Sequence, residues 1–169
     1  EIDEKRKSII VNGQHINFLS SLEKIDFKKL GIKDALLIDS TGVFKDKKQL
    51  KTHLNHYIKK ILLTAPGNSI PNIVYGVNHK KFDIQKENII SAASCTTNAI
   101  APILYVVNKA KKIVKGHIET IHAYTNDQNL LDNMHGKNRR GRSAAINMVI
   151  TSTGSGKAIS KIIPSLNGK

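Results

Sequence analysis

The residue best suited to covalent chemistry is Cys95, the only cysteine of the chain. It lies in the run Ser91-Ala-Ala-Ser-Cys-Thr-Thr-Asn98, between a predicted buried strand (87–90) and a predicted helix that runs to about Lys112. The first turn of a helix offers unpaired N–H groups and the positive end of a dipole, and both favour a thiolate. A lone cysteine is also typical of a small buried hydrophobe. The neighbouring hydroxyl groups and the helix start favour a nucleophile.

A nucleophilic thiol needs a base, and the seven histidines are the first candidates. His122 ends a predicted strand 27 positions after Cys95. A histidine is the side chain that most often acts as a general base. Taken alone, a histidine at a strand end is more often structural. His53 and His56 lie three residues apart on a lysine-rich predicted helix, but no third ligand of suitable type accompanies them. We therefore expect a solvated helix face and no metal site.

The first half of the chain predicts elements that alternate between strand and helix. Residues 8–19 are typical of a β-hairpin that turns at Asn12-Gly13. Two continuous apolar runs, 35–39 and 60–64, predict strands covered on both faces, and an amphipathic helix is predicted over 47–59 between them. This order favours parallel α/β architecture. In such sheets ligands bind at the carboxyl ends of the strands, where Ser40-Thr41-Gly42 and Thr64-Ala65-Pro66 lie.

The second half of the chain has a different character. After the helix that begins at Cys95, residues 113–124 predict a strand with some alternation. Residues 126–141 are polar and irregular, too long and too rich in Asn and Arg for a simple turn. Gly154-Ser-Gly156 then precedes a predicted helix over 157–163. A glycine before a helix start leaves backbone N–H groups open to phosphate.

The composition excludes several classes of protein. No apolar run approaches the roughly 18 residues of a membrane span, and one cysteine rules out an internal disulfide framework and suits a reducing cytoplasm. The formal net charge of +14 comes mostly from scattered lysines and could attract phosphorylated substrates or nucleic acid. Tryptophan is absent and Phe and Tyr number four each, which argues against nucleic-acid binding as the main role.

Ala93-Ser-Cys-Thr-Thr-Asn98 resembles the active-site signature of the phosphorylating glyceraldehyde-3-phosphate dehydrogenases. The similarity extends over nearly the whole chain and is weakest in the first thirty residues. The further segments that match in the family's order are Ser40-Thr-Gly-Val-Phe44, Leu63-Thr-Ala-Pro-Gly67, Gly76-Val-Asn-His79, His122-Ala-Tyr-Thr125, Ser152-Thr-Gly154 and Pro164-Ser-Leu-Asn-Gly-Lys169.

The resemblance implies a fold and a domain plan. The fold would be α/β: the second half of a Rossmann-type parallel sheet over residues 1–94, followed by the start of an α+β catalytic domain over 95–169. The chain begins with glutamate and contains no Gly-x-Gly-x-x-Gly after a strand. We therefore expect an excerpt of a longer chain, one without the opening dinucleotide-binding βαβ unit. The acidic residue that would read the ribose is not in this sequence, so NADP stays open beside NAD.

The resemblance also implies an activity. Glyceraldehyde 3-phosphate, NAD and inorganic phosphate would give 1,3-bisphosphoglycerate through a thioester on Cys95, with His122 as the base, in a cytoplasmic homotetramer. The other implied site residues are Ser94, Thr96, Thr153 and Gly154 for the attacking phosphate, Thr125 with Arg142 nearby for the substrate phosphate, Thr41 and Gly42 on the adenosine side of the cofactor, and Thr64 towards the nicotinamide.

Two departures from the family pattern leave alternatives open. Ala99 stands where the family often has a second cysteine, which affects no step because only one thiol attacks. The loop at 126–135 differs from the commonest family version and leaves room for an erythrose-4-phosphate dehydrogenase, which would use water in place of phosphate. Thr153-Gly154 argues against that alternative, because the site that it resembles is for phosphate as second substrate. A different alternative is an inactive, truncated paralogue that acts as a basic binding protein.

Overall fold

The computed structural model describes residues 2–19, 21, 25–137 and 139–169. Glu1 of the charged opening and Asn138 of the polar loop lie outside the described residues. The strands and α-helices are β1 (Ile2–Asp3), β2 (Ser8–Val11), β3 (Gln14–Asn17), β4 (Ala35–Asp39), α1 (Lys47–Lys51), β5 (Ile58–Leu63), β6 (Ile89–Ser91), α2 (Cys95–Lys111) and α3 (Ser155–Ile162). Short 3₁₀ helices cover His79–Lys81 and Pro164–Leu166.

The predicted hairpin is confirmed. Strands β2 and β3 pair antiparallel around Asn12 and Gly13, whose φ angles of 49° and 76° are both positive. A two-residue turn with both residues in this region matches the right-handed twist of the strands, and Asn-Gly adopts it at low cost. Strand β1 pairs with β2 and completes a small antiparallel sheet.

The predicted parallel sheet is confirmed as well. Its strand order is β4-β5-β6, with β4 parallel to β5 and β5 parallel to β6. The register pairs Asp39 with Leu63 and Leu63 with Ser91. All three strands therefore end at one edge of the sheet, and the segment that carries Cys95 leaves from that edge. The chain has the expected α/β fold, with a parallel sheet followed by the two longer helices.

Two groups of apolar side chains form the core. One lies between the parallel sheet and the segments that connect its strands: Leu50, Ile58, Ile61, Leu63, Ile70 and Ile89. The other holds helices α2 and α3 together and contains Val74, Ala93, Ala101, Ile159, Ile162, Ile163 and Leu166. Ala93 belongs to the second group, so the residue two places before Cys95 is anchored in the packing of both helices.

The strand at 35–39 is present, but the prediction that both its faces are covered is wrong. Leu36 is 55% exposed and Ile38 is 57% exposed, while Leu37 packs against the core beneath the sheet. Within the part of the chain that the structure describes, no element covers the Leu36 face. A continuous apolar run indicates that both faces of a strand suit burial, and it does not supply the covering element.

The helix predicted over 47–59 is much shorter. Helix α1 ends at Lys51, and the chain turns so that Ile58 begins β5. The side-chain oxygen of Asn55 accepts hydrogen bonds from the N–H groups of Tyr57 and Ile58, at 2.8 and 2.9 Å, which stabilises the turn. Asparagine competes with helical hydrogen bonding in this way. Leu50 and Ile58 are both buried as their pattern predicted, but they lie on different elements.

The strand predicted over 113–124 is also wrong. The segment has no regular secondary structure, although Ile113 and Ile118 pack against the α2–α3 core and Gly116 donates its N–H to the carbonyl of Lys169 at 3.0 Å. A strand requires a partner strand, and none lies beside this segment among the described residues.

The helices predicted after Cys95 and after Gly156 are confirmed as α2 and α3, and α3 begins earlier, at Ser155. The polar loop at 126–141 contains turns and no regular element within its described residues.

Among the described residues, no helix is both long and apolar enough to cross a membrane.

Candidate active site

Cys95 is the first residue of helix α2 and is exposed, so it is not a small buried hydrophobe. Strand β6 ends at Ser91, and the chain reverses within three residues because Ala93 adopts a left-handed conformation with φ of 60°. Ser94 is the N-cap, and its hydroxyl oxygen accepts a hydrogen bond from the N–H of Thr97 at 3.1 Å. This cap stabilises the helix start, where Cys95 is the first helical residue.

His122 lies beside the thiol. Its Nε2 atom is 3.3 Å from Sγ of Cys95, and its Nδ1 atom is 2.5 Å from the carbonyl oxygen of Ala123. A carbonyl only accepts hydrogen bonds, so Nδ1 carries a proton and donates it. In the neutral ring Nε2 then has a free lone pair directed at the thiol. The sequence hypothesis that pairs these two residues agrees with this geometry.

The two groups shift each other's pKa in opposite directions. The hydrogen bond from His122 lowers the pKa of the Cys95 thiol, and the Thr96 hydroxyl and N–H act in the same direction against partial desolvation. The hydrogen bond to Cys95 raises the pKa of His122, and the carbonyl of Ala123 contributes in the same direction. Both shifts favour the thiolate–imidazolium pair. Helix α2 has no acidic residue in its first turn, so no like charge on this helix opposes the thiolate there.

Ser94 and Gly154 line one cavity of about 180 Å³. Ser94 approaches it from the start of α2, and Gly154 is the N-cap of α3. Lys157 and Lys161, one helical turn apart on α3, line the same cavity. Two helix starts and two ammonium groups give this space a positive potential. Thr96 does not line it, and its hydroxyl oxygen lies 4.0 Å from Sγ of Cys95 instead.

Thr153 has a structural contact at the start of α3. Its hydroxyl oxygen accepts a hydrogen bond from the N–H of Ser155 at 3.2 Å and lies 2.8 Å from the Ser155 hydroxyl. These contacts help to cap the helix, which is the structural role that a threonine at this position often has. When the Ser155 hydroxyl is the donor in their 2.8 Å contact, the Thr153 hydroxyl keeps its own proton and can donate it to an anion.

Thr125 and Arg142 lie in the polar loop and are connected through Gln128. The N–H of Gln128 donates to the carbonyl of Thr125 at 2.9 Å, and its side-chain amide reaches the carbonyl of Arg142 at 3.5 Å. The guanidinium of Arg142 pairs with Asp132 at 3.3 Å. The structure thus places the two residues near one another, without a contact to Cys95 or His122 among the described residues.

Thr41, Gly42 and Thr64 lie at the carboxyl edge of the parallel sheet. The N–H and hydroxyl of Thr41 donate to the carboxylate of Asp39 at 3.0 and 2.8 Å. The N–H and hydroxyl of Thr64 donate to the Asp39 carbonyl at 2.9 and 3.1 Å. Gly42 has φ of 73°, and open space surrounds the position that a Cβ would take. Ordinary turn geometry explains the hydrogen bonds of Thr41 and Thr64 to Asp39. The edge of the sheet presents these polar groups beside the open space at Gly42.

The histidines of the lysine-rich segment make aromatic contacts. His53 packs edge-on against Phe44 with ring centroids 5.0 Å apart, and His56 packs edge-on against Tyr57 at 5.2 Å. Within the described residues no three His, Cys, Asp or Glu side chains are grouped to hold a metal ion.

The side chain that the sequence interpretation missed is Asn98. Its Nδ2 atom donates to the carbonyls of Ala92 and Ser94 at 2.7 and 2.9 Å. These carbonyls flank Ala93, the residue in the left-handed conformation. A general signal exists, since asparagine side chains bond to nearby backbone groups at helix starts. The sequence does not indicate which backbone groups Asn98 contacts.

Residues 94–169 match the family described as glyceraldehyde 3-phosphate dehydrogenase, C-terminal domain. A glyceraldehyde-3-phosphate dehydrogenase-like protein of Pseudomonas aeruginosa is 50% identical over 172 residues, which cover 99% of this chain and 37% of the relative. Glyceraldehyde-3-phosphate dehydrogenase 2 of a Nostoc species is 47% identical over all of this chain and 50% of its own length. The enzyme of Clostridium pasteurianum is 42% identical over all of this chain and 51% of its own length. The chain thus spans about half the length of these relatives, or less.

Proposed function

We propose that the chain belongs to the glyceraldehyde-3-phosphate dehydrogenase family and that the whole protein oxidises glyceraldehyde 3-phosphate in the presence of NAD and inorganic phosphate. The product is 1,3-bisphosphoglycerate, and the intermediate is a thioester on Cys95. The observation that carries the proposal is the 3.3 Å approach of His122 Nε2 to the Cys95 thiol at the start of α2. NADP remains an alternative cofactor.

In the first stage Nε2 of His122 takes the thiol proton, and the thiolate attacks the aldehyde carbon. The imidazolium returns this proton to the aldehyde oxygen as the hemithioacetal forms, so His122 is neutral again. The resulting hemithioacetal has a hydroxyl group that needs a base when the carbon is oxidised, and His122 is the base within reach. The hydrogen bond from Nδ1 to Ala123 holds the ring so that Nε2 faces the sulfur. NAD, when bound, supplies the acceptor for the hydride that leaves this carbon.

In the second stage inorganic phosphate attacks the thioester carbon, and the thiolate of Cys95 leaves. The cavity between the starts of α2 and α3, which Ser94 and Gly154 line, is our candidate for the attacking phosphate. Thr96 and Thr153 do not line the cavity, and we propose them as the remaining phosphate residues because each adjoins the reacting thiol or the lining Gly154 in the chain. Thr125 and Arg142 are the proposed residues for the substrate phosphate. Since phosphate is the nucleophile of this stage, turnover depends on its concentration.

The carboxyl edge of the parallel sheet suits a dinucleotide, because open α/β sheets bind ligands at this edge. The open space at Gly42 admits a close approach of a ligand to the backbone. The hydroxyl oxygens of Thr41 and Thr64 donate to Asp39 and still accept hydrogen bonds. We propose Thr41 and Gly42 for the adenosine side and Thr64 for the nicotinamide side. The homotetramer, the cytoplasmic location and the domain boundary between 94 and 95 are further parts of the proposal.

The test is NADH formation by the purified whole protein with glyceraldehyde 3-phosphate, measured with and without inorganic phosphate. We expect steady turnover only with phosphate, and loss of turnover in Cys95→Ser. Faster oxidation of erythrose 4-phosphate that is indifferent to phosphate would assign the alternative dehydrogenase. No NADH with either aldehyde would instead favour a non-catalytic paralogue.

A further inference from the structure

Asn98 connects the turn before the nucleophile to the helix after it. Its Nδ2 atom donates to the carbonyls of Ala92 and Ser94 at 2.7 and 2.9 Å. Its own backbone N–H donates to the same Ser94 carbonyl at 2.9 Å, as the helix requires. One side chain therefore contacts the peptide group before Ala93 and the peptide group that joins Ser94 to Cys95, and so spans the turn.

Ala93 needs such support. With φ of 60° it occupies the left-handed region, which is unfavourable for a residue with a Cβ atom and persists only where neighbouring contacts hold it. The hydroxyl of Ser91 accepts a hydrogen bond from the Ala93 N–H at 3.0 Å and holds the other side of the turn. If Ala93 relaxes to a negative φ, the chain direction into Ser94 and Cys95 changes.

We propose that Asn98 is a positioning residue for the nucleophile: its amide holds the left-handed turn at Ala93 and thereby keeps Sγ of Cys95 within hydrogen-bond distance of His122. Asn98 acts through the backbone and needs no contact with substrate. For turnover this inference rests on the proposed function, but for thiol reactivity it does not, because the reactivity of Cys95 is measurable without any substrate.

The experiment measures iodoacetamide labelling of Cys95 against pH in the whole protein and in Asn98→Ala. Loss of both donors should move Cys95 away from His122, so the apparent pKa of the thiol rises and labelling near pH 7 slows about three- to tenfold. Asn98→Asp should slow labelling further, since it removes the donors and adds a negative charge near the thiolate.

Asn108→Ala is the matched control. Asn108 lies on the same helix and also makes two hydrogen bonds, from its Nδ2 to the Ser165 hydroxyl at 2.9 Å and from the Ile113 N–H to its Oδ1 at 3.0 Å. It is near the opposite end of α2, so its loss should lower Tm without moving the pKa of Cys95. If Asn98→Ala lowers Tm like the control and leaves the labelling profile unchanged, Asn98 is merely structural and the inference is wrong.

Two double variants separate positioning from a direct effect of Asn98 on the thiol. In a His122→Asn background, Asn98→Ala should cause little further slowing of Cys95 labelling, because the imidazole with which the turn aligns the thiol is already absent. Ala93→Gly should recover part of the lost labelling in Asn98→Ala, since glycine adopts a positive φ without steric cost. Full additivity with His122→Asn, or no recovery with Ala93→Gly, would contradict the mechanism. A wild-type protein that makes no NADH but shows these labelling effects would overturn the proposed function and leave this inference standing.

Discussion

The Sγ atom of Cys95 lies 3.3 Å from Nε2 of His122, although helix α2 and an irregular segment separate the two residues in the chain. The thiol stays at the start of α2, and the chain after the helix returns to bring the imidazole beside it.

The first prediction is that Cys95 reacts as a thiolate at neutral pH. Its pKa is lowered chiefly by the hydrogen bond with His122, so iodoacetamide labelling should rise at a pH clearly below the roughly 8.5 of a free thiol. The pKa of His122 is raised, chiefly by its hydrogen bond with Cys95, so the imidazolium partner persists to a higher pH than in an ordinary histidine. In His122→Asn the labelling curve should move to higher pH. A curve that follows an ordinary thiol and ignores this substitution would refute the activated pair.

The second prediction separates phosphate binding from helix capping at Thr153. Removing a hydroxyl donor to a dianion costs about 1.5–3 kcal/mol, or roughly one to two decades in rate at sub-saturating phosphate. We therefore expect Thr153→Ala to slow steady-state turnover by this factor and to leave the first-turnover burst of NADH much less affected. Loss of the contact with the Ser155 N–H should also lower the free energy of unfolding by about 1 kcal/mol.

Thr153→Ser is the control, because it keeps the hydroxyl and should keep both the turnover and the stability. Thr153 does not hold an attacking phosphate if Thr153→Ala slows the first-turnover burst and the steady-state rate equally. The same conclusion follows if the wild-type rate does not depend on phosphate concentration.

The third prediction is that the 169-residue chain by itself associates and binds NAD poorly. Leu36 and Ile38 on the sheet are 55% and 57% exposed, and Ile103 and Val106 on α2 are 63% and 64% exposed. Exposed apolar surface of this kind promotes association. Sedimentation velocity over a concentration series should show species larger than a monomer, and Leu36→Lys should reduce them. Calorimetry that detects micromolar NAD binding by this chain would contradict the domain plan.

The fourth prediction concerns Lys60, whose Nζ atom holds the segment that leads into β6. It lies 2.7, 3.0 and 2.9 Å from the carbonyls of Ile84, Gln85 and Glu87 and 3.2 Å from the Asn88 side-chain oxygen. Lys60→Met keeps the aliphatic stem and leaves these acceptors without their cation, so we expect a loss of about 1–3 kcal/mol in the free energy of unfolding. Lys59→Met, at the exposed neighbouring position in β5, should change it by less than about 0.5 kcal/mol. Urea unfolding measures both, and equal effects would exclude the cationic role of Lys60.

Sequence patterns correctly predicted the elements that are held by interactions between residues close together in the chain. The Asn12-Gly13 turn adopts two positive φ angles because these residues tolerate them, and the hairpin follows. The apolar spacing after Cys95 predicted α2, since a helix forms its hydrogen bonds within itself. The parallel order of β4 and β5 followed from the strand–helix–strand pattern of this part of the chain.

The predictions that were wrong depended on partners distant in the chain. Residues 47–59 have helical spacing, but Ile58 pairs with Ala35 in the sheet, and Asn55 turns the chain towards it. Residues 113–124 alternate like a strand, yet no strand lies beside them among the described residues, so no ladder forms. Periodicity reports which faces suit burial, and strand pairing decides whether an extended segment becomes a strand.

The sequence by itself determined the candidate groups: a single thiol among hydroxyl residues at a helix start, and histidines from which its base could come. Local composition suffices for this, because a helix start and its cap lie within a few residues of one another. Only the tertiary structure decided that the two groups meet and that Ser94 and Gly154 line one cavity. These relationships depend on how α2 and α3 pack on the sheet edge, and packing brings together atoms whose separation no local pattern encodes.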